Sequence, residues 1–366
     1  MLLTPGPTAV PEFVRTAMSG ETLHHRTPEF ENIFKNTREL LLELFDMPEA
    51  VMLASSGTGA MEACITNLTH KKALTVNSGK FGERFGKICS AHNIPSVEIK
   101  HEWNTAVTVE EIVEAIKSDS DIDAIFIQVC ESAGGLRHPV EAIAKAVKAI
   151  NADISIIADG ITAVGVEKID TTNIDALITG SQKALMLPPG LAMIGFSDAA
   201  VAKIELKSAG YYFNLASEIK KQKTNTTAYT AATTLIIGLG SILGKLKEIG
   251  FENLYAQTAL RAKATREALT AIGLEVYPAT PANAMTTIYC EESNPVRKIL
   301  KEKFDLNIAG GQDHLKGKIF RINHMGLVAD FEAVWAVNAV EKALDELGIR
   351  TFDGTANRVF MESTFA

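Results

Sequence analysis

The feature that most constrains this chain is an alternation, between residues 51 and 196, of short unbroken apolar runs with stretches of helical apolar spacing. The runs Val51–Ala54, Ala73–Val76, Ser96–Ile99, Ala124–Val129, Ser155–Ala158, Ala176–Thr179 and Ala192–Phe196 predict strands. Ala60–Leu68, Gly82–His92, Val109–Lys117 and Val140–Ile150 predict helices between them. A strand that is apolar along its whole length has both faces covered, as in parallel sheets packed between helices. The pattern therefore argues for an α/β domain with a mostly parallel sheet. Ligands of such sheets sit beyond the carboxyl ends of the strands, so the residues that follow each strand carry the most information.

The flanks read differently. Three prolines and one glycine in the first eleven residues predict a loop, and residues 28–45 have helical spacing. From about residue 228 a long helical region with internal glycines runs to Ile272. A strand (Thr286–Cys290), a helix (Pro295–Phe304), a strand (Lys318–Ile322) and a helix (Phe331–Leu347) follow, which suggests a second, α+β domain. Residues after Gly348 show no pattern and read as a tail. A chain of 366 residues, 46% hydrophobic and 22% charged, exceeds what one core comfortably serves. The boundaries implied are 12–245 for a large domain, 246–350 with the loop 1–11 for a small one, and 351–366 for the tail.

A net charge of −8 argues against nucleic acid or an anionic membrane as main partner. No apolar run reaches the roughly 18 residues of a membrane span, and the Pro-Gly-Pro start breaks too early for a signal peptide. Cys64, Cys89, Cys130 and Cys290 are widely spaced and sit in apolar stretches, as buried thiols in a reducing compartment do. The cytoplasm is the default location. The histidines show no metal-ligand spacing, so no metal is expected.

Three strand ends hold chemistry. Ser55-Ser56-Gly57-Thr58-Gly59 opens a helix whose N-terminal N–H groups would suit a phosphate; taken alone it is equally a strand–helix turn with a serine cap. A dinucleotide fingerprint fails, because Glu62 stands where the third glycine belongs and the second strand ends Val76-Asn77 without an acid. Asp159 follows the strand Ser155–Ala158, where a carboxylate faces the crevice or caps a turn. Lys183 follows Ala176–Thr179, where it either reaches solvent or is a buried amine of lowered pKa, usable as a nucleophile. An anion site, a carboxylate for a ring nitrogen and a lysine together are what pyridoxal 5′-phosphate (PLP) needs.

The motifs Leu3-Thr4-Pro5-Gly6-Pro7-Thr8, His25-Arg26-Thr27-Pro28-Glu29-Phe30, Ser56-Gly57-Thr58-Gly59-Ala60-Met61-Glu62, Phe81-Gly82-Glu83-Arg84, Glu131-Ser132, Gly180-Ser181-Gln182-Lys183 and Phe320-Arg321-Ile322 occur in one order. With Asp159, they make the chain resemble the class V aminotransferases, in particular the alanine–glyoxylate / serine–pyruvate aminotransferase group of PLP fold type I. The likeness covers about residues 2–347. It implies a large domain with a mostly parallel, seven-stranded type of sheet and a smaller C-terminal α+β domain.

The resemblance implies further that Lys183 holds PLP as a Schiff base and shuttles the Cα proton, and that Asp159 pairs with the pyridine nitrogen. It places Ser56, Gly57, Thr58 and Gln182 at the phosphate, Phe81 and Ile161 on the two ring faces, and Ser132 near the 3′-oxygen. Thr227 and Thr230 match a segment that reaches the partner subunit's phosphate, which implies a homodimer with a shared active site. Position 227 is tyrosine in some relatives, and Ala231 stands where many have proline. Arg321 matches the arginine that forks onto the substrate carboxylate, and Gly6 a glycine close to the substrate.

The implied reaction is a ping-pong amino transfer from a small amino acid, alanine or serine, to a 2-oxo acid such as glyoxylate or pyruvate. Cysteine desulfurases usually carry histidine before the lysine and a reactive cysteine on a loop; here Gln182 precedes Lys183 and no cysteine falls on an evident loop. Aspartate or 2-aminoethylphosphonate transamination would want a second cation, for which Arg26 is the candidate. Lys220-Lys221-Gln222-Lys223 reads as an exposed face.

Overall fold

Residues 1–365 are described by a computed structural model. The apolar runs become β1 (Glu49–Leu53), β2 (Lys72–Asn77), β3 (Ser96–Lys100), β4 (Ile122–Gln128), the short hairpin β5 (Cys130–Glu131) and β6 (Leu136–Arg137), then β7 (Ser155–Asp159), β8 (Ala176–Gly180) and β9 (Ala192–Phe196). Seven of them form one sheet in the order β1-β9-β8-β7-β4-β2-β3. β9 runs antiparallel to both its neighbours, and the other pairs are parallel. β1, β2, β4, β7 and β8 thus end at the same edge.

The sheet lies between two helical layers, and strand alternation sends successive side chains into different layers. Ile125 and Ile127 join Phe34, Ile112, Ile143 and Ile242, from α2 (Pro28–Phe45), α5 (Val109–Ser118), α6 (Val140–Ile150) and α9 (Thr233–Ile249). Phe126 joins Met61, Phe85, Ile204 and Ile219, from α3 (Gly57–Leu68), α4 (Lys80–Ala91), α7 (Asp198–Leu206) and α8 (Leu215–Gln222). The short α1 (Glu12–Met18) packs on α9. Every residue of β1, β7, β8 and β9 is buried, whereas β3, at the sheet edge, is largely exposed.

A second, antiparallel sheet has the order β10-β11-β13-β12, from β10 (Glu275–Val276), β11 (Met285–Tyr289), β12 (Ala309–Gly310) and β13 (Ile319–Asn323). α10 (Phe251–Ala271), α11 (Ser293–Phe304), α12 (Asp330–Glu346) and α13 (Thr355–Phe365) share its core, which Leu3 of the N-terminal loop also enters.

Three local features differ from the sequence expectation. The long helical region begins only at Thr233 and divides at Gly250 into α9 and α10. The patternless end carries α13, which anchors itself through Ala356 and Phe360 and donates the Ala356 N–H to the fully buried Glu341 at 3.0 Å. Two apolar anchors are too few to show as a periodic pattern. Gln222, expected on an exposed face, is buried. Its Oε1 accepts from the Met52 N–H at 2.9 Å and its Nε2 donates to the Met52 carbonyl at 2.8 Å. It thereby satisfies the outer edge of β1, which would otherwise invite another strand. The four cysteines are buried free thiols. No described helix is long and apolar enough to cross a membrane.

Candidate active site

The common edge of β1, β7 and β8 opens on a cleft of about 280 Å³. Ser56, Gly57 and Thr58 line it at the start of α3, where the Ser56 side chain makes no capping bond and leaves first-turn N–H groups available to a ligand. Gly57 lets Ile161 pack close, since a Cβ there would lie 2.2 Å from Ile161 Cδ1 and push that side chain aside. Asp159 lines the same cleft at the end of β7, and its Oδ1 accepts the Ile161 N–H at 3.0 Å. It is 4% exposed and has no ion-pair partner among the described residues. Burial pushes its carboxyl up to about 6, against the pull of the Ile161 N–H, Arg84 and Lys183.

Lys183 follows β8, with Gln182 beside it in the cleft. Burial, reinforced by the charge of Arg321, brings its ammonium down to about 8. Its Nζ donates to the Pro5 carbonyl. The N-terminal loop is laid directly over it: Thr8 donates its N–H to the Gln182 carbonyl at 3.1 Å and its hydroxyl to the Lys183 carbonyl at 2.7 Å. At Gly6 (φ +108°) a Cβ would meet Lys183 Cδ and Nζ at 2.7 Å, so only glycine fits. Phe81, Ser132 and Ile161 complete the walls.

Arg321 does not line the cleft itself but stands behind Ser132. Its Nη1 donates to the Ser132 carbonyl at 2.6 Å, while Nη2 and Nε donate to Gly310 O at 2.7 and 3.2 Å. Burial lowers its pKa to about 10, and no carboxylate lies within ion-pair distance among the described residues. Such a guanidinium, with two of its five N–H groups uncommitted, suits an incoming carboxylate.

The sequence matches the family described as Aminotransferase class-V over residues 7–315. The chain belongs to the class V aminotransferases. Across all of its length and 99% of the relative's, this aminotransferase is 47% identical to a protein named "Uncharacterized aminotransferase" in Helicobacter pylori. It is 30% identical, over 97% of its length and 93% of the relative's, to a serine–glyoxylate aminotransferase of Methylorubrum extorquens. The structure of an aspartate aminotransferase from Thermus thermophilus superposes with a TM-score of 0.88 at 30% identity, over 94% of this chain and 99% of that one.

Class V aminotransferases are PLP-dependent enzymes acting on amino and oxo acids. The residues of this aminotransferase fit that cofactor: a buried carboxylate with no ion-pair partner among the described residues, a buried lysine of lowered pKa and the start of α3 surround one cleft. Thr227 and Thr230 are not part of it. They line a separate groove with Tyr212 and Tyr229, at the end of a segment whose Tyr211 is 82% exposed.

Other residues of the site carried no role in the sequence. Arg84 and Thr162 line the cleft, and so does Cys130, whose thiol is pushed up strongly by burial. Glu131, fully buried, accepts the Phe81 and Gly82 N–H groups on Oε2 at 3.0 and 2.8 Å and the Ala133 N–H on Oε1 at 3.0 Å. Burial raises its carboxyl to about 7 against these three donors. It ties the start of α4, which carries Phe81, to the turn whose Ser132 carbonyl holds Arg321. The motifs Phe81-Gly82-Glu83-Arg84 and Glu131-Ser132 were the only sequence signal for Arg84 and Glu131.

Proposed function

We propose that this aminotransferase binds PLP in the Lys183 cleft. We further propose that it moves an amino group from a small amino acid, alanine or serine, to a 2-oxo acid such as glyoxylate or pyruvate in alternating half-reactions. The carrying observation is the convergence of Lys183, the uncompensated carboxylate of Asp159 and the α3 N-terminus on one cleft, with the Arg321 guanidinium behind it.

Bound PLP would supply a carbonyl carbon for amines and a protonated ring that accepts the electron pair left when Cα loses its proton. Asp159 would hold the proton on the ring nitrogen; its burial with no ion-pair partner among the described residues supports that role. Ser56, Gly57, Thr58 and Gln182 would grip the phosphate, Phe81 and Ile161 would cover the ring and exclude water, and Ser132 would face the 3′-oxygen. Lys183 Nζ would hold the cofactor and then carry the Cα proton, a task suited to an amine of pKa about 8. Arg321 would bind the α-carboxylate, with Gly6 close by.

Small donors are favoured by what surrounds Arg321. Ala309 is its register partner, so Gly310 faces the other side of the sheet. A Cβ on Gly310 would lie 2.4 Å from Arg297 Nη1, so Arg297, whose charge Arg321 feels, is on the face away from Arg321. Arg26 lies outside the cleft lining. Aspartate, with a second carboxylate, would lack a cation there. The exposed Tyr211 segment supports a homodimer in which Thr227 and Thr230 serve the partner's phosphate, and four free thiols suit the cytoplasm.

The test is an amino-donor panel with glyoxylate, pyruvate and 2-oxoglutarate as acceptors, read together with near-visible absorbance. Alanine or serine should bleach the band of the lysine-bound cofactor, and glyoxylate or pyruvate should restore it. A protein that stays colourless with added PLP overturns the proposal; a marked preference for aspartate overturns the small-donor assignment.

A further inference from the structure

Every group assigned above to the phosphate is neutral: first-turn N–H groups, the Ser56 and Thr58 hydroxyls and the Gln182 amide. A phosphate monoester near neutral pH carries close to two negative charges. Lys183 is committed to the cofactor's carbonyl and Arg321 to the substrate. The remaining cation of the cleft is Arg84, on α4.

Arg84 Nη1 donates to Thr58 Oγ1 at 2.9 Å, which brings its charge to the phosphate turn. Its Cζ lies 4.8 Å from the centroid of the Phe81 ring, a cation–π arrangement. Its basic neighbours on α4 are neutralised, Lys80 by Asp313 and Glu83 and Lys87 by Glu83. Arg84 has no such partner among the described residues. Thr58 Oγ1 accepts from Arg84 and donates to no described residue, so its O–H is free to turn into the cleft.

We propose that Arg84 is the cation of the phosphate subsite, supplying a positive charge to the ester and aiming the Thr58 hydroxyl at it. The inference rests on PLP being the cofactor of this cleft. Its test compares PLP with pyridoxal, which lacks the phosphate, in titrations of the apoenzyme followed by absorbance. Arg84→Gln should weaken PLP by about 10- to 100-fold while leaving pyridoxal within about twofold, as loss of one charge-assisted contact predicts. Arg84→Lys, which keeps the charge and disturbs the fold less, should fall between. Inorganic phosphate should slow PLP uptake by the wild type and not by Arg84→Gln.

Equal losses for both ligands in both variants would make Arg84 merely structural and overturn the inference, as would no loss at all. Thr58→Val reproducing the whole Arg84→Gln effect, with no addition in the double variant, would overturn the direct charge contribution. A wild type that takes up neither ligand would overturn both the inference and the cofactor assignment beneath it.

Discussion

The Lys183 cleft and the aromatic segment around Tyr211 are both assigned to one active site, and they are built in opposite ways. Asp159 and Lys183 stand at the ends of strands with every residue buried. Tyr211, Tyr212 and Tyr229 hold mainly to one another: the rings of Tyr212 and Tyr229 stack at 5.3 Å, and the Tyr229 hydroxyl donates to the Tyr211 carbonyl at 2.6 Å. The first region has its geometry imposed by a core. The second leaves Tyr211 and Tyr212 exposed, as the dimer proposed above would require. The groups proposed for chemistry sit on the scaffold, and the segment proposed for subunit contact is carried by irregular backbone.

The sharpest way to break this contrast is Lys183→Ala. Turnover should fall by at least about a thousandfold and the near-visible band should vanish, while PLP is still taken up through Asp159 and the phosphate turn. Retained turnover would mean that the scaffolded region does not hold the chemistry.

Asp159→Asn tests whether the cleft stores strain while its cofactor is absent. The folded protein raises the Asp159 carboxyl from 3.8 to about 6, so it binds that proton more tightly than the unfolded chain does. The stability this group contributes is complete below about pH 4 and is lost as pH rises towards 6, a change of about 3 kcal/mol. Asparagine has no such proton to lose. Urea unfolding of the apoenzyme should therefore show the variant more stable than wild type at pH 7 by up to about 3 kcal/mol, with the gap closing at pH 4. An equal gap at both pH values would contradict the buried, uncompensated carboxylate.

The smallest expected effect is in the other region. Tyr211→Ser with Tyr229→Ser should weaken self-association by about tenfold, as loss of interface aromatics does. Sedimentation measures it, and the Lys183 band should persist at high protein concentration. Unchanged assembly would remove this segment from the interface.

The sequence showed the strands of the large sheet because they are apolar from end to end, and a parallel sheet brings their ends together whatever the helices between them do. Asp159 and Lys183 could be located on that ground alone. Their roles needed the family motifs, and so did Arg321, which reaches Ser132 from 189 residues away. Arg84 lies three residues beyond Phe81, yet its contact with Thr58 depends on how α3 meets α4, and no linear spacing encodes that. Glu131 was hidden because its partners are backbone N–H groups, which have no sequence signature. Gln222 looked like part of a charged face because only one residue of that run turns inward.

The N-terminal loop acts as a short tether. Leu3 is fixed to the small sheet, donating its N–H to Asn307 O at 2.8 Å and accepting the Asn323 N–H at 2.9 Å, while Thr8 is fixed to Gln182 and Lys183. Only Thr4, Pro5, Gly6 and Pro7 lie between these anchors, two of them prolines, and the Pro5 carbonyl takes the Lys183 ammonium. Fully stretched, the five steps from Leu3 to Thr8 reach no more than about 18 Å. With so little slack, a displacement of the small sheet that carries Arg321 would pull on the carbonyl that holds Lys183. On the roles proposed for them, grip on a substrate carboxylate and release of the lysine amine would be geared to one another by a strap of four residues.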